Sequence, residues 1–219
     1  MTRKELFSIV MDRLGRKFAN AETELYYSDP FELLVSVILS AQCTDKRVNM
    51  VTPALFERFP TPYKMASASF DEVEPYIRSV TFANSKTRHL LGMAKMLVEQ
   101  YKGEVPSDVD ELIKLPGVGR KTAHVVTAVI FGQPNLAVDT HIMRVSNRIG
   151  LTTDAARHDP RMTEDQLVKY IPVKDIPDAH HWLIMHGRYT CVARNPKCSE
   201  CVLTDVCKYY RQNVKGKTA

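Results

Sequence analysis

The sequence lacks the long apolar segments of a membrane protein. No hydrophobic run approaches the roughly 18 residues needed to cross a bilayer. The first residues, MTRKELFSIVMDRLGRKF, contain no continuous apolar core and no small-residue cleavage site of the kind found in export signals. We therefore expect no contact with a membrane and a protein that stays in the cytosol.

Strand patterns are missing as well. Polar and apolar residues do not alternate over the length of a strand, and we find neither solenoid-length repeats nor a low-complexity linker. Apolar residues instead recur at helical spacing, as in FELLVSVILSAQ after Asp29 and Pro30, a cap followed by proline. The fold class predicted is all-α, and 219 residues suit one large domain or two small ones.

Capping residues predict where several other helices begin. Ser69 with Glu72 and Thr163 with Gln166 have the spacing of capping boxes. Asn84 precedes a long helical pattern that ends at Gly103, and Ser107 is expected to cap a short helix that stops before Pro116.

Cysteine is scarce, with five residues, and an odd number without an export signal argues against a disulfide framework. Four of them form the pattern C-x6-C-x2-C-x5-C, at Cys191, Cys198, Cys201 and Cys207. Four thiols at this spacing predict a metal site. Structural zinc and a [4Fe–4S] cluster both remain open, because only one close pair of cysteines is present.

Acidic residues are outnumbered, which gives a formal net charge of +5. The segment 186–219 holds seven basic residues against Glu200 and Asp205. The basic residues are Arg188, Arg194, Lys197, Lys208, Arg211, Lys215 and Lys217. This segment is either a solvated basic terminus or a surface for an anionic partner.

The string LPGVGRKTA at residues 115–123 predicts a tight turn between two helices. Gly117 and Gly119 allow the backbone to turn and bring its N–H groups against a phosphate at the start of the second helix. A purely structural helical hairpin is the alternative. The whole string resembles the helix-hairpin-helix motif of DNA repair glycosylases, which favours contact with DNA.

A lysine and an aspartate follow this turn. Lys121 lies in the first turn of the second helix, where the helix dipole disfavours an ammonium, and a neutral amine there is a nucleophile suited to sugar C1′. A phosphate contact is the alternative. Asp139 is placed as an N-cap, and a chain that returns after one helix could bring this carboxylate near the amine.

With LPGVGRKTA, VDTHIMRVSNR, HHWLIMHGRYTC and the cysteine pattern in this order, the chain resembles the bacterial endonuclease III family over nearly its whole length. The resemblance implies a [4Fe–4S] cluster on the four cysteines. It also implies two helical lobes with a DNA groove between them. These are a six-helix barrel at residues 23–133, with the helix-hairpin-helix at about residues 108–127, and a cluster domain from residues 1–22 and 134–219.

The resemblance also implies roles for individual residues. Lys121 matches the nucleophile and Schiff-base lysine, Asp139 the assisting carboxylate, and Gln42 the side chain that fills the gap left by a flipped nucleotide. Asp45 and His141 match pocket positions, although a structural histidine is an equal alternative for His141. DNA contacts are expected from the hairpin residues Leu115, Gly117, Val118, Gly119 and Arg120.

Two features depart from the family pattern and put the damage spectrum in doubt. Thr81, Phe82 and Ala83 stand where many relatives have Gly-Leu-Tyr, and Cys43 replaces a smaller residue beside Gln42. Both lie in regions expected to approach DNA.

We therefore expect a monomeric base excision repair enzyme that removes oxidised pyrimidines from damaged double-stranded DNA and cleaves the abasic site by β-elimination. The expected location is the cytosol, at the nucleoid. The alternatives are a monofunctional mismatch glycosylase and a non-catalytic iron–sulfur module that binds DNA.

Overall fold

In the computed structural model, which describes residues 1–214, every regular element is a helix. The predicted all-α fold is confirmed. Lys215 and Lys217 of the basic C-terminal segment lie outside the described residues. Within the described chain, no helix is both long and apolar enough to cross a membrane.

The α-helices of the described residues are numbered here in chain order. They are α1 (Arg3–Lys17), α2 (Pro30–Ser40), α3 (Asp45–Arg58), α4 (Pro62–Ala66), α5 (Phe70–Ile77), α6 (Ala83–Tyr101), α7 (Val109–Lys114), α8 (Arg120–Phe131), α9 (Thr140–Ile149), α10 (Pro160–Val168), α11 (Ile176–Tyr189) and α12 (Lys208–Asn213). Short 3-10 helices occupy Asp154–His158, Val173–Asp175 and Cys198–Glu200.

The chain divides into two compact units. One, the continuous unit, is Thr23–Gln133. The other, the two-segment unit, combines Met1–Glu22 with Pro134–Ala219, so helices from both ends of the sequence share it.

The continuous unit contains α2 to α8 and is built around α2. Asp29 caps this helix by accepting a hydrogen bond from the Glu32 N–H, and Pro30 is its first residue. Phe31 and the consecutive residues from Leu33 to Leu39 are buried, as expected of a central helix, and their apolar side chains pack with those of α3, α6 and α8. Burial on all sides explains why this segment is apolar throughout rather than amphipathic.

The two-segment unit contains α1 and α9 to α12. Phe7, Val10 and Leu14 on α1 belong to the same buried cluster as Ile142 on α9 and Leu183 on α11. The N-terminal helix therefore completes this core, which also includes Leu203 and Val206 from the cysteine-rich segment.

Some of the predicted helix starts are correct and others are wrong. Ser69 and Glu72 form the predicted capping box of α5. Asp159 caps α10 in place of Thr163, whose buried hydroxyl donates to the Ala156 carbonyl. Asp108, one residue beyond Ser107, caps α7 by accepting from two N–H groups.

The long helix α6 also begins earlier than expected. Its N-cap is Phe82, in the left-handed conformation with φ of 59°, so Asn84 lies inside the helix. The helix ends at Tyr101, and Gly103 follows with φ of 80°. The predicted end of α6 is therefore correct to within the C-cap, whereas its start was hidden by an aromatic residue that rarely caps helices.

Candidate functional site

The turn between α7 and α8 is anchored by apolar side chains and leaves its glycines at the surface. Leu115 and Val118 are buried, and the Val118 N–H donates to the Leu115 carbonyl over 3.0 Å. Gly117 has φ of 81°, a conformation that a side chain disfavours. Gly119 is the N-cap of α8, and a Cβ added to it meets nothing within 4 Å in the described structure.

Helix α6 supports this turn from within the continuous unit. A Cβ at Gly117 would lie 2.8 Å from the Cβ of His89, and one at Gly92 would lie 3.2 Å from Pro116 Cγ. The turn therefore lies close against α6. The two glycines of the turn therefore differ in their surroundings. A side chain at Gly117 would clash with His89, whereas one at Gly119 would contact no atom of the described structure.

Lys121 is exposed in the first turn of α8, beside the exposed Arg120. No acidic residue occupies this turn in the described chain, and Gly119 has no side chain with which to cap the helix. The first N–H groups of α8 and two cationic side chains thus meet at one surface. Such a helix start attracts phosphate.

Asp139 caps α9 in the two-segment unit, as predicted. Its Oδ1 accepts a hydrogen bond from the Ile142 N–H over 2.8 Å, and the residue is half-buried. Because Oδ1 serves the cap, the carboxylate has a fixed orientation and its Oδ2 is the atom suited to a proton transfer.

His141 follows on the same helix and is also half-buried. Burial lowers its pKa, an effect that the neighbouring Asp139 carboxylate opposes and the Arg144 guanidinium reinforces. The Nδ1 atom of His141 lies 3.1 Å from Arg144 Nη2, and a neutral ring can accept that hydrogen bond. The position thus has a clear structural partner.

Gln42 lies two residues after the end of α2 and is exposed, with φ of 54°. Its left-handed conformation is uncommon for a residue other than glycine and points to local constraint. Asp45 is the first residue of α3, directly after the N-cap Thr44. Gln42 lies in the segment that joins α2 to α3 and Asp45 directly follows that segment, so these two predicted positions are near each other in the chain.

The four clustered cysteines are half-buried and none forms a disulfide. Burial raises the pKa of the Cys198, Cys201 and Cys207 thiols, and the neighbouring thiolates of the group add to the rise. Cys191 contributes to this electrostatic effect at all three. The four sulfurs thus lie within electrostatic reach of one another, and gathering their thiolates requires a cationic group between them.

In the described residues, no group of three or more His, Cys, Asp or Glu side chains converges on a single metal ion. Four half-buried cysteine thiols in one short segment are a donor set that a [4Fe–4S] cluster accepts, as structural zinc also does. The residues present therefore fit the cluster.

Two arginines on α9, which the sequence analysis did not single out, hold the loop that contains Cys191. Arg144 donates to the carbonyls of Cys191 and Gly187. Arg148 donates to the carbonyls of Val192 and Ala193 and lies 3.6 Å from Cys191 Sγ. Their spacing of four residues, which places both on one helix face, was the available signal.

Comparison with known proteins defines the class to which this fold and site belong. Residues 35–173 match the family model of the HhH-GPD superfamily of base excision DNA repair proteins. Residues 191–207 match the iron-sulfur binding domain of endonuclease III. The turn between α7 and α8, the helix α8 that contains Lys121, and the cysteine-rich segment 191–207 are thus parts of an HhH-GPD superfamily protein.

Individual relatives narrow this class. Endonuclease III of Rickettsia conorii is 44% identical over 206 residues, which span 94% of this chain and 97% of the relative. Endonuclease III of Escherichia coli K12 is 45% identical over 200 residues, 91% of this chain and 93% of the relative. A solved endonuclease III, trapped as a covalent intermediate with DNA, superposes with a TM-score of 0.90 at 43% identity and covers 96% of this chain and 98% of its own.

The chain belongs to the endonuclease III family. It is a DNA glycosylase of base excision repair and carries a [4Fe–4S] cluster. The predicted family and cofactor are confirmed.

Proposed function

We propose that this chain removes oxidised pyrimidines such as thymine glycol from duplex DNA and then cleaves the abasic site. The observation that carries the proposal is the exposed Lys121 in the first turn of α8, directly after the glycine turn. An endonuclease III of the same fold has been trapped as a covalent intermediate with DNA. A lysine amine is a side chain able to form such a bond with a sugar carbon.

In the proposed reaction, the neutral Nζ of Lys121 attacks C1′ of the damaged nucleotide. The glycosidic bond breaks, its electron pair leaves on the base, and the base takes up a proton. Opening of the sugar ring leaves an iminium between Nζ and C1′, which acidifies the neighbouring 2′ proton. Loss of that proton expels the 3′ phosphate by β-elimination, and water then releases the lysine.

Asp139 assists these steps in the proposal. Its carboxylate accepts the proton of the attacking amine and stabilises the positive charge that develops on the sugar. The N-cap bond to Ile142 keeps the carboxylate in one orientation, which reduces the reorganisation needed during the reaction.

DNA is held by other residues in this proposal. Gln42 fills the gap left by the flipped nucleotide, a step required because C1′ is inaccessible inside a stacked duplex. Asp45 and His141 lie near the damaged base. The turn offers backbone N–H groups and positive charge to a phosphate through Leu115, Gly117, Val118, Gly119 and Arg120.

The cluster has Cys191, Cys198, Cys201 and Cys207 as its proposed ligands. When bound, it holds residues 191–207 in one conformation, so that the exposed Arg194 and Lys197 present positive charge to DNA. We propose that the protein acts as a monomer in the cytosol, at the nucleoid.

Borohydride trapping on a duplex with one thymine glycol tests the proposal, using the parent, Lys121→Ala and Lys121→Arg. Arginine keeps the charge for a phosphate contact but has no nucleophilic amine. We expect a covalent complex with the parent alone, while Lys121→Arg retains binding to DNA. Lys95→Ala, an exposed lysine on α6, serves as the matched control and traps like the parent.

Other outcomes would revise the proposal. Trapping only on a preformed abasic site would keep the lyase and change the damaged base. Full activity of Lys121→Arg would make Lys121 a phosphate contact. Absence of trapping by a folded, cluster-loaded parent would favour a monofunctional glycosylase or a module that only binds DNA.

A further inference from the structure

A lysine is buried inside the continuous unit, where two main-chain carbonyls accept hydrogen bonds from its ammonium. The side chain of Lys86, in the first turns of α6, is part of a residue only 5% exposed. Its Nζ donates to the carbonyl of Leu39 and to that of Ala41, each over 2.7 Å. Burying an ammonium is unfavourable unless it is well bonded, so this placement requires an explanation.

The two carbonyls belong to the end of α2, where a helix presents acceptors without intrahelical partners and the negative end of its dipole. The last turn of α2 contains no basic residue of its own. Lys86 therefore caps α2 from another helix, through contacts more than forty residues apart in sequence.

This cap acts directly on Gln42. The Ala41 carbonyl and the Gln42 N–H belong to one planar peptide unit, so a bond to that carbonyl fixes the plane about which φ of Gln42 turns. On the other side, the Cys43 N–H donates to the Ser40 carbonyl over 3.0 Å. These two hydrogen bonds, one on each side of Gln42, hold its backbone at the uncommon φ of 54°.

Helix α6 also carries Phe82 at its start, 61% exposed and with φ of 59°. The Lys86 N–H donates to the Phe82 carbonyl over 3.0 Å. Through its main chain and its side chain, one residue therefore contacts both segments that we expect to approach DNA.

We propose that Lys86 is a positioning residue that holds Gln42 in the orientation needed to enter the duplex. The inference rests on the proposed function, because it requires Gln42 to occupy the gap left by a flipped nucleotide. A side chain acting in this way affects duplex substrates and leaves the chemistry at Lys121 intact.

A double-mutant cycle tests the inference. Single-turnover base removal is measured for the parent, Lys86→Met, Gln42→Ala and the double variant, on a duplex with one thymine glycol. Methionine keeps most of the apolar stem and removes the donors. We expect each single variant to be slower by about tenfold to a hundredfold, the scale of small misplacements near a reaction centre. The double variant should be no slower than the slower single variant, because both act through one contact.

Single-stranded DNA with an abasic site separates positioning from loss of structure. A single strand has no gap for Gln42 to fill, so borohydride trapping on it should be equal for the parent and Lys86→Met. Lys95→Met, an exposed site on the same helix, should match the parent on both substrates. Lys86→Gln keeps N–H donors on a shorter side chain, so it should be faster on the duplex than Lys86→Met. It also provides a second variant in case Lys86→Met folds poorly.

The outcomes distinguish the inference from the function beneath it. Additive losses in the cycle, or an equal loss on single-stranded DNA by folded Lys86→Met and Lys86→Gln, would overturn the positioning role. A Gln42→Ala variant as fast as the parent would overturn it as well, by removing the role proposed for Gln42. A parent that traps neither substrate would instead remove the lyase.

Discussion

Replacement of each turn glycine by alanine should separate folding from DNA binding. In Gly117→Ala, the new side chain must adopt φ near 81°, and its Cβ would lie 2.8 Å from His89 Cβ and 3.0 Å from its Cγ. The unfavourable backbone alone costs about 1–3 kcal/mol. The contact adds to this, because a Cβ is fixed to the main chain and cannot rotate away.

The same change two residues later has none of these consequences. Gly119 has φ of −95°, which any residue adopts, and a Cβ there meets nothing within 4 Å in the described structure. Gly119→Ala should therefore stay within about 1 kcal/mol of the parent in stability. If the turn approaches a phosphate, however, that Cβ intrudes where DNA must lie, and the loss of one charge-assisted hydrogen bond of roughly 1.5–3 kcal/mol weakens binding about tenfold or more.

Two assays on the cluster-loaded proteins measure these effects: the melting temperature reports stability, and binding to an abasic-site analogue reports contact with DNA. For a chain of this length, about 2 kcal/mol corresponds to a fall of roughly 4–8 °C in the melting temperature. We expect that fall in Gly117→Ala at a fixed scan rate, and an unchanged melting temperature with weaker binding to an abasic-site analogue in Gly119→Ala. Equal melting of Gly117→Ala and the parent would refute the strain argument, and parent-like binding by Gly119→Ala would refute the phosphate contact.

Three further predictions concern the two-segment unit. Cys201→Ser should lose iron and the broad visible absorbance of the cluster, whereas Cys43→Ser should keep both, and equal iron contents in the two variants would contradict the ligand assignment. Arg148→Lys should shorten the lifetime of the bound cluster on mild heating. One ammonium cannot replace a guanidinium that donates to two carbonyls and lies beside Cys191 Sγ. Arg161→Lys, at an exposed position, is the control. An NMR titration should place the pKa of His141 below its ordinary value, since burial favours the neutral ring. The stabilisation from this lowered pKa is then complete above the ordinary value and lost as pH falls through the folded one, and a pKa at or above the ordinary value would contradict the burial argument.

Local signals in the sequence predicted much of this fold. Asp29 followed by Pro30 located the start of α2, and Asp139 was correctly placed as the cap of α9, because both depend only on neighbouring N–H groups. The Thr163 prediction failed because Asp159 with Pro160 is a competing start, and a tertiary contact with the Ala156 carbonyl occupies the threonine hydroxyl. Spacing rules do not decide between two residues within about one helical turn of each other that are both able to cap.

Contacts between segments that are distant in the sequence could not be predicted from such local signals. The bonds from Lys86 to the end of α2 and from Arg148 to the loop after Cys191 span more than forty residues. A lysine at the start of a long helix is ordinarily predicted to be exposed to solvent. Nothing in the sequence around Lys86 indicates that it is buried. The cysteine pattern, by contrast, was informative because its four thiols lie within one short segment and few other sets of residues share their chemistry.

The structure also bears on why a chain of this size has a metal cluster. The core of the two-segment unit joins α1, α9 and α11 through apolar side chains, and a chain of this length can bury enough surface to fold without a metal. The segment 191–207 differs, since among its described elements only the 3-10 helix Cys198–Glu200 is regular. Arg148 holds its first part, and Arg13 holds its last part by donating to the Val202 carbonyl and the Asp205 carboxylate. With the four cysteines as its proposed ligands, the cluster orders the residues between those two attachments, which include Arg194 and Lys197. In that proposal its structural contribution falls on the loop rather than on the core.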